Sequence, residues 1–314
     1  MGFGGLAVVQ MAKSEFMTPH QALAANGKSF DWARRFLGKR MGGDAATLYR
    51  FCRVLDDMAD GDIPDGPRRL LTIRDDLAGG RYATDTLLAD FQPFIRQKNL
   101  PVPVIITLID GLLQDQKPVR ITDERALRRY AYRVAGTVGL LMCHVLDCDD
   151  DVARAHAIDL GIAMQLTNIA RDILEDAEMG RRYLPASWAG DVKPAHIIAA
   201  SNAADGEVAR SISAAARQLL LLADDYYQSG TAGLSYLPLR AHIAIAVAAR
   251  VYRQIGVQIA ATGYGWHQGR QVTSRFAKIK CSLQACGSIW RRFWPRMPHR
   301  KKLHDGLEGL PYVR

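Results

Sequence analysis

Two short stretches of this sequence place aspartates one helical turn apart on segments that are otherwise apolar, and no other feature restricts the fold as tightly. The first runs Tyr49-Arg50-Phe51-Cys52-Arg53-Val54-Leu55-Asp56-Asp57-Met58-Ala59-Asp60. Wound as an α-helix, it brings Tyr49, Arg53, Asp56 and Asp60 into one narrow polar stripe, and Phe51, Val54, Leu55 and Met58 cover the flanks and back. The second runs from Gln165 to Asp176 and lines up Gln165, Asn168, Asp172 and Asp176, with Met164, Leu166, Ile169, Ile173 and Leu174 around them. A helix this apolar demands burial, and a buried carboxylate stripe must face cations or a water-filled cavity.

Carboxylates one turn apart offer hard oxygen ligands of the kind Mg²⁺ takes up alongside waters and phosphate oxygens. Two such stripes facing one another would hold metal ions and, through them, a diphosphate. Charge developing on a departing diphosphate would be neutralised there. Arg53 and Arg171 add fixed positive charge for the same anion. A single Asp-x-x-x-Asp is more often a solvated face, but two matched stripes on two apolar helices reverse that balance.

The rest of the chain reads as helix. Alternating β-branched runs bounded by turn dipeptides are nearly absent, and helical spacing predicts segments near 30–40, 44–60, 67–78, 84–97, 101–115, 123–147, 150–179, 206–228 and 238–262. Gly61, Gly180 and Gly230 stand where a C-terminal glycine would end a helix. The fold class is therefore all-α, a helical bundle. Gly136, Gly139 and Gly161 lie inside helical runs and imply close approach of another helix or of a ligand chain.

Length and composition suit one large domain or two tightly fused ones: 314 residues, 48% hydrophobic and 23% charged. Met1 to Val9 is apolar but too short and uncharged for a signal peptide, and no run approaches the ~18 apolar residues of a membrane span. Five cysteines fit a reducing, cytoplasmic setting. Cys143/Cys148 and Cys281/Cys286 lack histidines or further cysteines in zinc-site order, and none of the eight histidines pairs at metal spacing. Asp224-Asp225-Tyr226-Tyr227 reads as a helix face with buried tyrosines, and Asp75-Asp76 and Asp149-Asp150-Asp151 as surface charge near helix ends. Arg181-Arg182-Tyr183 shapes a phosphate entrance or finishes a helix. The net charge of +9 is concentrated late: Arg270 to His304 holds ten Lys or Arg and no acid, with Trp290, Phe293 and Trp294 among them. That mixture fits an anionic membrane surface, nucleic acid or a solvated tail.

At the two stripes the sequence resembles the squalene and phytoene synthase family. Tyr49 to Asp60 resembles the family's Y-x-x-x-R-x-x-D-x-x-x-D segment. Gln165 to Pro185 is similar to its Q-L-T-N-I-x-R-D-x-x-E-D-x-x-x-G-R-x-Y-L-P run. Asn26-Gly27-Lys28-Ser29-Phe30 resembles the segment over the diphosphate, with Asn26 where some relatives have His. The resemblance spans roughly 20–270, leaving 271–314 as a basic, aromatic C-terminal segment of a single isoprenoid-synthase domain with a central cavity. It implies that Asp56, Asp60, Asp172 and Asp176, with Asn168, bind Mg²⁺ (Mn²⁺ in its place), and that these aspartates with Tyr49 and Arg53 carry catalysis. Asn26, Gly27, Lys28, Ser29, Phe30, Tyr49, Arg53, Gln165, Arg171, Tyr252 and Arg270 would contact the prenyl diphosphates. The activity it implies is head-to-head condensation of two geranylgeranyl diphosphates without NADPH, with farnesyl diphosphate as the alternative substrate. A cytoplasmic enzyme resting on the inner face of the membrane is expected, with no nucleic-acid partner.

Overall fold

Gly61 and Gly180, at φ +80° and +76°, take up the left-handed backbone that ends a helix, and the chain turns at both. The computed structural model describes residues 13–82, 84–202 and 206–313; the apolar Met1–Val9 segment lies outside them. Among the described residues there is no strand, only an isolated bridge between Arg120 and Arg182. In chain order the α-helices are α1 (Lys13–Phe16), α2 (Pro19–Asn26), α3 (Lys28–Arg34), α4 (Lys39–Ala59), α5 (Gly66–Ala78), α6 (Thr86–Gln97), α7 (Val102–Gln114) and α8 (Glu124–Ala131). A π-helical turn, Tyr132–Gly136, leads into α9 (Thr137–Val145). There follow α10 (Asp151–Arg171), α11 (Ile173–Glu178), α12 (Ala186–Ala189), α13 (Pro194–Ser201), α14 (Glu207–Ala232), α15 (Leu239–Ala261) and α16 (Arg275–Cys286). Short 3₁₀ turns at Gly233–Tyr236, Gly287–Phe293 and Lys301–His304 complete the chain.

Several boundaries depart from the periodicity. The expected helix 30–40 ends at Arg34, because Gly38 adopts φ +79° and resets the chain before α4. The 150–179 helix breaks at Asp172, whose φ −106° and ψ 18° leave the helical well. The 123–147 helix carries the π turn. Gly230 does not end α14, which runs on to Ala232; a Cβ there would sit 2.8 Å from Leu160 Cα, so glycine serves close helix crossing instead. Gly139 and Gly161 do what their positions suggested: a Cβ would lie 2.2 Å from the carbonyl oxygens of Ala157 and Ala135 respectively. The α1, α2, α13 and α16 helices had no apolar periodicity to announce them.

α10 is central, packed most extensively on α14 and also against α9, α15 and the π turn. Thr167 and the Tyr227 hydroxyl, 3.1 Å apart, stitch α10 to α14, and Tyr226 and Tyr227 are buried as the sequence suggested. Asp224 beside them pairs with Arg253 at 2.8 Å, which makes it a surface ion pair. Asp150 caps α10, accepting from Val152 N at 2.8 Å, whereas Asp76 is not surface charge: it is buried under Arg81. α15 is long and apolar enough by composition to cross a membrane, a window the sequence reading did not register. Here it packs against α3, α10, α14 and α16.

Candidate active site

The first stripe runs to the C-terminal end of α4, and the second runs through the last turns of α10 to its cap at Asp172 and on to Asp176 in the first turn of α11; the exposed carbonyls ending α4 and α10 carry the negative end of the helix dipole and favour cations. Between these helices, α9 and α15 is a cavity of about 440 Å³. Its polar end is built by Arg53, Asp56, Gln165, Asn168, Arg171 and Arg270, and its remainder by side chains such as Val138, Met142, Leu160, Leu237 and Ile245. Asn26, Phe30, Tyr49 and Tyr252 also face it. Phe30 lies over Tyr252 and Tyr49, with ring centroids 4.9 and 6.2 Å away, so α3 roofs this end. Gly27 is required there, since a Cβ would press to 2.9 Å on the Tyr49 ring and Leu23. Lys28 and Ser29 do not line the cavity; Lys28 is exposed and Ser29 half-buried.

The electrostatics are those of a site short of positive charge. Asp56 is pushed up to about 7, first by desolvation and then by Asp60 and Asp57, against the pull of Arg53. Asp176 is pushed up to about 8, by desolvation and then by the neighbouring Asp172, against Arg181. Asp172 is different: Arg171 donates to both its oxygens, at 2.8 and 2.5 Å, and Arg270 lies 3.2 Å away. Arg270 thus reaches the second stripe from nearly a hundred residues on, and also approaches Glu175 at 3.8 Å. Arg53 pairs with Asp57, the aspartate off the stripe, which also accepts from Ser14. Arg181, immediately after α11, reaches across to Asp60 at 2.8 Å and so ties the second stripe to the first. Its neighbour Arg182 turns inward to the Leu184 carbonyl and Asp191 and finishes the loop.

Sequence reasoning missed Asp115 and Tyr130. Asp115 follows α7 and its carboxyl is pushed up to about 6 by desolvation, although the Tyr130 hydroxyl donates to it at 2.8 Å. It acts electrostatically on Asp56 and Asp176 alike, so a third helix end contributes acid to the same place. A lone aspartate at a helix end carries no periodic signal.

Does this arrangement fit a hard dication? The carboxylates of Asp56, Asp60, Asp115, Asp172, Glu175 and Asp176 outnumber the guanidinium groups of Arg53, Arg171, Arg181 and Arg270. Asn168 Oδ1 is buried and has no hydrogen-bond partner, while its Nδ2 donates to Gln165 at 3.3 Å. An orphaned buried carbonyl oxygen on the same stripe as a carboxyl that resists ionisation makes a hard-oxygen donor set, and its chemistry suits Mg²⁺.

Fold and site together define a class: an all-α bundle in which two carboxylate-bearing helices meet at the polar end of an otherwise apolar cavity. The chain belongs to the squalene/phytoene synthase family, whose pattern matches residues 23–277. It is 34% identical over 298 residues to a 15-cis-phytoene synthase from Pantoea ananas, covering 89% of this chain and 94% of that one. A 15-cis-phytoene synthase from a Paracoccus strain is also 34% identical, over 94% of this chain and 98% of that one. Among solved structures, a dehydrosqualene synthase in complex with a ligand matches with a TM-score of 0.75 at 24% identity, covering 90% of this chain and 98% of that chain.

Proposed function

We infer that the protein is a prenyltransferase that condenses two geranylgeranyl diphosphates head to head into phytoene. The observation that carries this reading is a cavity whose polar end is lined by Asp56, Arg53, Arg171 and Arg270, with Arg270 paired to Asp172 and the two stripes tied by Arg181 to Asp60, in a chain one-third identical to phytoene synthases over most of its length.

Within that reading the diphosphates occupy the polar end and the prenyl chains the apolar remainder. Asp56, Asp60, Asn168, Asp172 and Asp176 would hold Mg²⁺, which when bound supplies the positive charge that lets a diphosphate leave. Arg53, Arg171 and Arg270 bind the departing anion. Arg171 and Arg270 must exchange Asp172 for phosphate oxygens, so ligand and metal binding are coupled through that carboxylate. Phe30 and α3 exclude water while an allylic cation exists. The first half-reaction breaks one allylic C–O bond, releasing diphosphate, and joins the cation to the double bond of the second substrate; loss of a proton then closes the ring to a cyclopropyl diphosphate. The second loses that diphosphate, rearranges and releases a proton to form the central double bond, so electrons balance without a reductant.

The C-terminal surface supports a lipid contact. Phe276, Leu283, Trp290, Phe293 and Trp294 are 71–79% exposed, interleaved with Lys278, Lys280, Arg291 and Arg292. α16 carries part of this face and is fastened to the roof helix: Trp32 Nε1 donates to Ser282 at 2.9 Å, and Lys278 Nζ to the Lys28 carbonyl at 3.3 Å. We therefore place this face on an anionic leaflet, the cytoplasmic one, where an apolar product leaves beside α3.

The test is incubation of purified protein with Mg²⁺ and either geranylgeranyl or farnesyl diphosphate, with and without NADPH, followed by chromatography of the hydrocarbon. Phytoene from the longer substrate without NADPH is expected. Product from farnesyl diphosphate alone would transfer the chain to the squalene-type branch, and no product with either would refute the reading.

A further inference from the structure

The histidines, expected to be dispersed, do not stay apart in the fold, and one pair, His299 and His304 with four residues between them, has a zinc-site spacing that the sequence expectation passed over. His299 and His304, from the last segment of the chain, converge on Asp159 in the middle of α10. His299 Nε2 lies 2.8 Å from Asp159 Oδ2, and His304 Nε2 lies 3.0 Å from Oδ1. The two imidazoles stand 4.3 Å apart, centroid to centroid, and the three groups offer ligand atoms within 4.8 Å of one another. Asp159 is wholly buried, and the histidine side chains are only 9% and 3% exposed. Behind them Ser229 of α14 donates to Asp159 Oδ2 at 2.5 Å, and His156 sits against Ser229 at 3.2 Å.

We propose that Asp159, His299 and His304 form a binding site for a transition-metal dication of the zinc class, separate from the aspartate stripes. Two imidazole nitrogens and one carboxylate oxygen make a three-ligand set to which water adds a fourth position. Imidazole donors select zinc-like ions over Mg²⁺, which prefers the all-oxygen donors at the polar end of the cavity. A dication held between the three groups gives the wholly buried Asp159 carboxylate a full countercharge. Ser229 holds the carboxylate from behind, as an outer partner of a metal ligand does. The basic residues of the same segment, Arg296, Arg300, Lys301 and Lys302, are all exposed, so their charge is screened by water.

The consequence is structural. Leu307 is fully buried, and the Leu303 carbonyl accepts from Tyr226 of α14 at 2.7 Å, so this segment already lies on the bundle. His156 lines the apolar part of the cavity and its Nε2 is 3.3 Å from the Met297 carbonyl, which puts the last segment directly behind the wall there. A metal on Asp159, His299 and His304 staples that segment to α10 and stiffens this end of the cavity. The proposal is independent of which prenyl diphosphate the enzyme takes.

The experiment is a Co²⁺ titration of full-length, chelator-stripped protein in excess Mg²⁺, read by visible absorption, bound-metal analysis and thermal melting. One equivalent with the intense bands of four-coordinate Co²⁺ and a raised melting temperature is expected. His299→Gln and His304→Gln should each weaken binding by about 100-fold or more. Asp60→Ala and Asp176→Asn should leave it unchanged. Circular dichroism without Co²⁺ shows whether each histidine variant is folded, and the wild-type titration stands even if one is not. Absence of bound Co²⁺ in the wild type would overturn the proposal and leave a hydrogen-bonded clamp. So would weak six-coordinate bands abolished by Asp176→Asn but not by His299→Gln.

Discussion

Replacing Asp176 by asparagine should make the metal-free protein more stable while destroying its activity. The Asp176 carboxyl is raised from 3.8 to about 8, chiefly by desolvation and next by Asp172. Each tenfold rise in proton affinity is worth about 1.4 kcal/mol, so an isolated titration over that span would cost the folded state roughly 6 kcal/mol. Asp172, Asp115 and Glu175 share the repulsion and solvent screens this end of the cavity, which leaves about 2 kcal/mol. The folded state holds the proton more tightly than the unfolded one. The deficit is therefore absent below the unfolded value near 3.8. It grows as pH rises and is complete above about 8. Thermal melting in a chelator at pH near 8.5 should show Asp176→Asn melting roughly 4–6 °C above wild type, and the gain should shrink to less than half near pH 5.5. Mg²⁺ should close the gap by stabilising wild type alone. Turnover should fall about 100-fold or more. A variant no more stable than wild type at pH 8.5, or a gain that does not vary with pH, would refute the electrostatic account of this site.

Asp56→Ala and Asp172→Ala should both abolish turnover but differ in stability. The first removes an unpaired charge, whereas the second orphans Arg171 and Arg270 and should cost about 1–3 kcal/mol in chemical denaturation. Equal stabilities would contradict the pairing. Gly161→Ala drives a Cβ to 2.2 Å from the Ala135 carbonyl and should cost about 2 kcal/mol or more, while Gly43→Ala, with nothing within 4 Å, should gain about 0.5–1 kcal/mol; denaturant midpoints measure both. Serine at Trp290, Phe293 and Trp294 together should abolish co-sedimentation with anionic vesicles and leave melting unchanged, and undiminished binding would remove the lipid contact. Truncation is the poorer tool, because His304 and Leu307 are buried in the fold.

Much of the site was legible because helical periodicity is a local property. Tyr49, Arg53, Asp56, Gln165 and Asn168 could be assigned to stripes from spacing alone, since a turn of helix brings side chains three and four apart onto one face whatever surrounds it. The apolar flanks of the same helices announced that the stripes would be enclosed. What spacing could not say is which charges cancel. Arg53 prefers the off-stripe Asp57, Asp172 is neutralised by Arg171 and Arg270, and Asp56 and Asp176 are left to carry the strain. Those outcomes depend on desolvation and on distances between segments far apart in the chain. For the same reason Asp115, the reach of Arg181 to Asp60 and the convergence of His299 and His304 on Asp159 could not be read from local pattern. Local pattern sufficed for most of the longer helices, the two stripes and the family they resemble, because each is written within a few turns of chain. Only the tertiary structure decided the charge state of the cavity's polar end and what lies behind its apolar end, because burial and long-range contact set both.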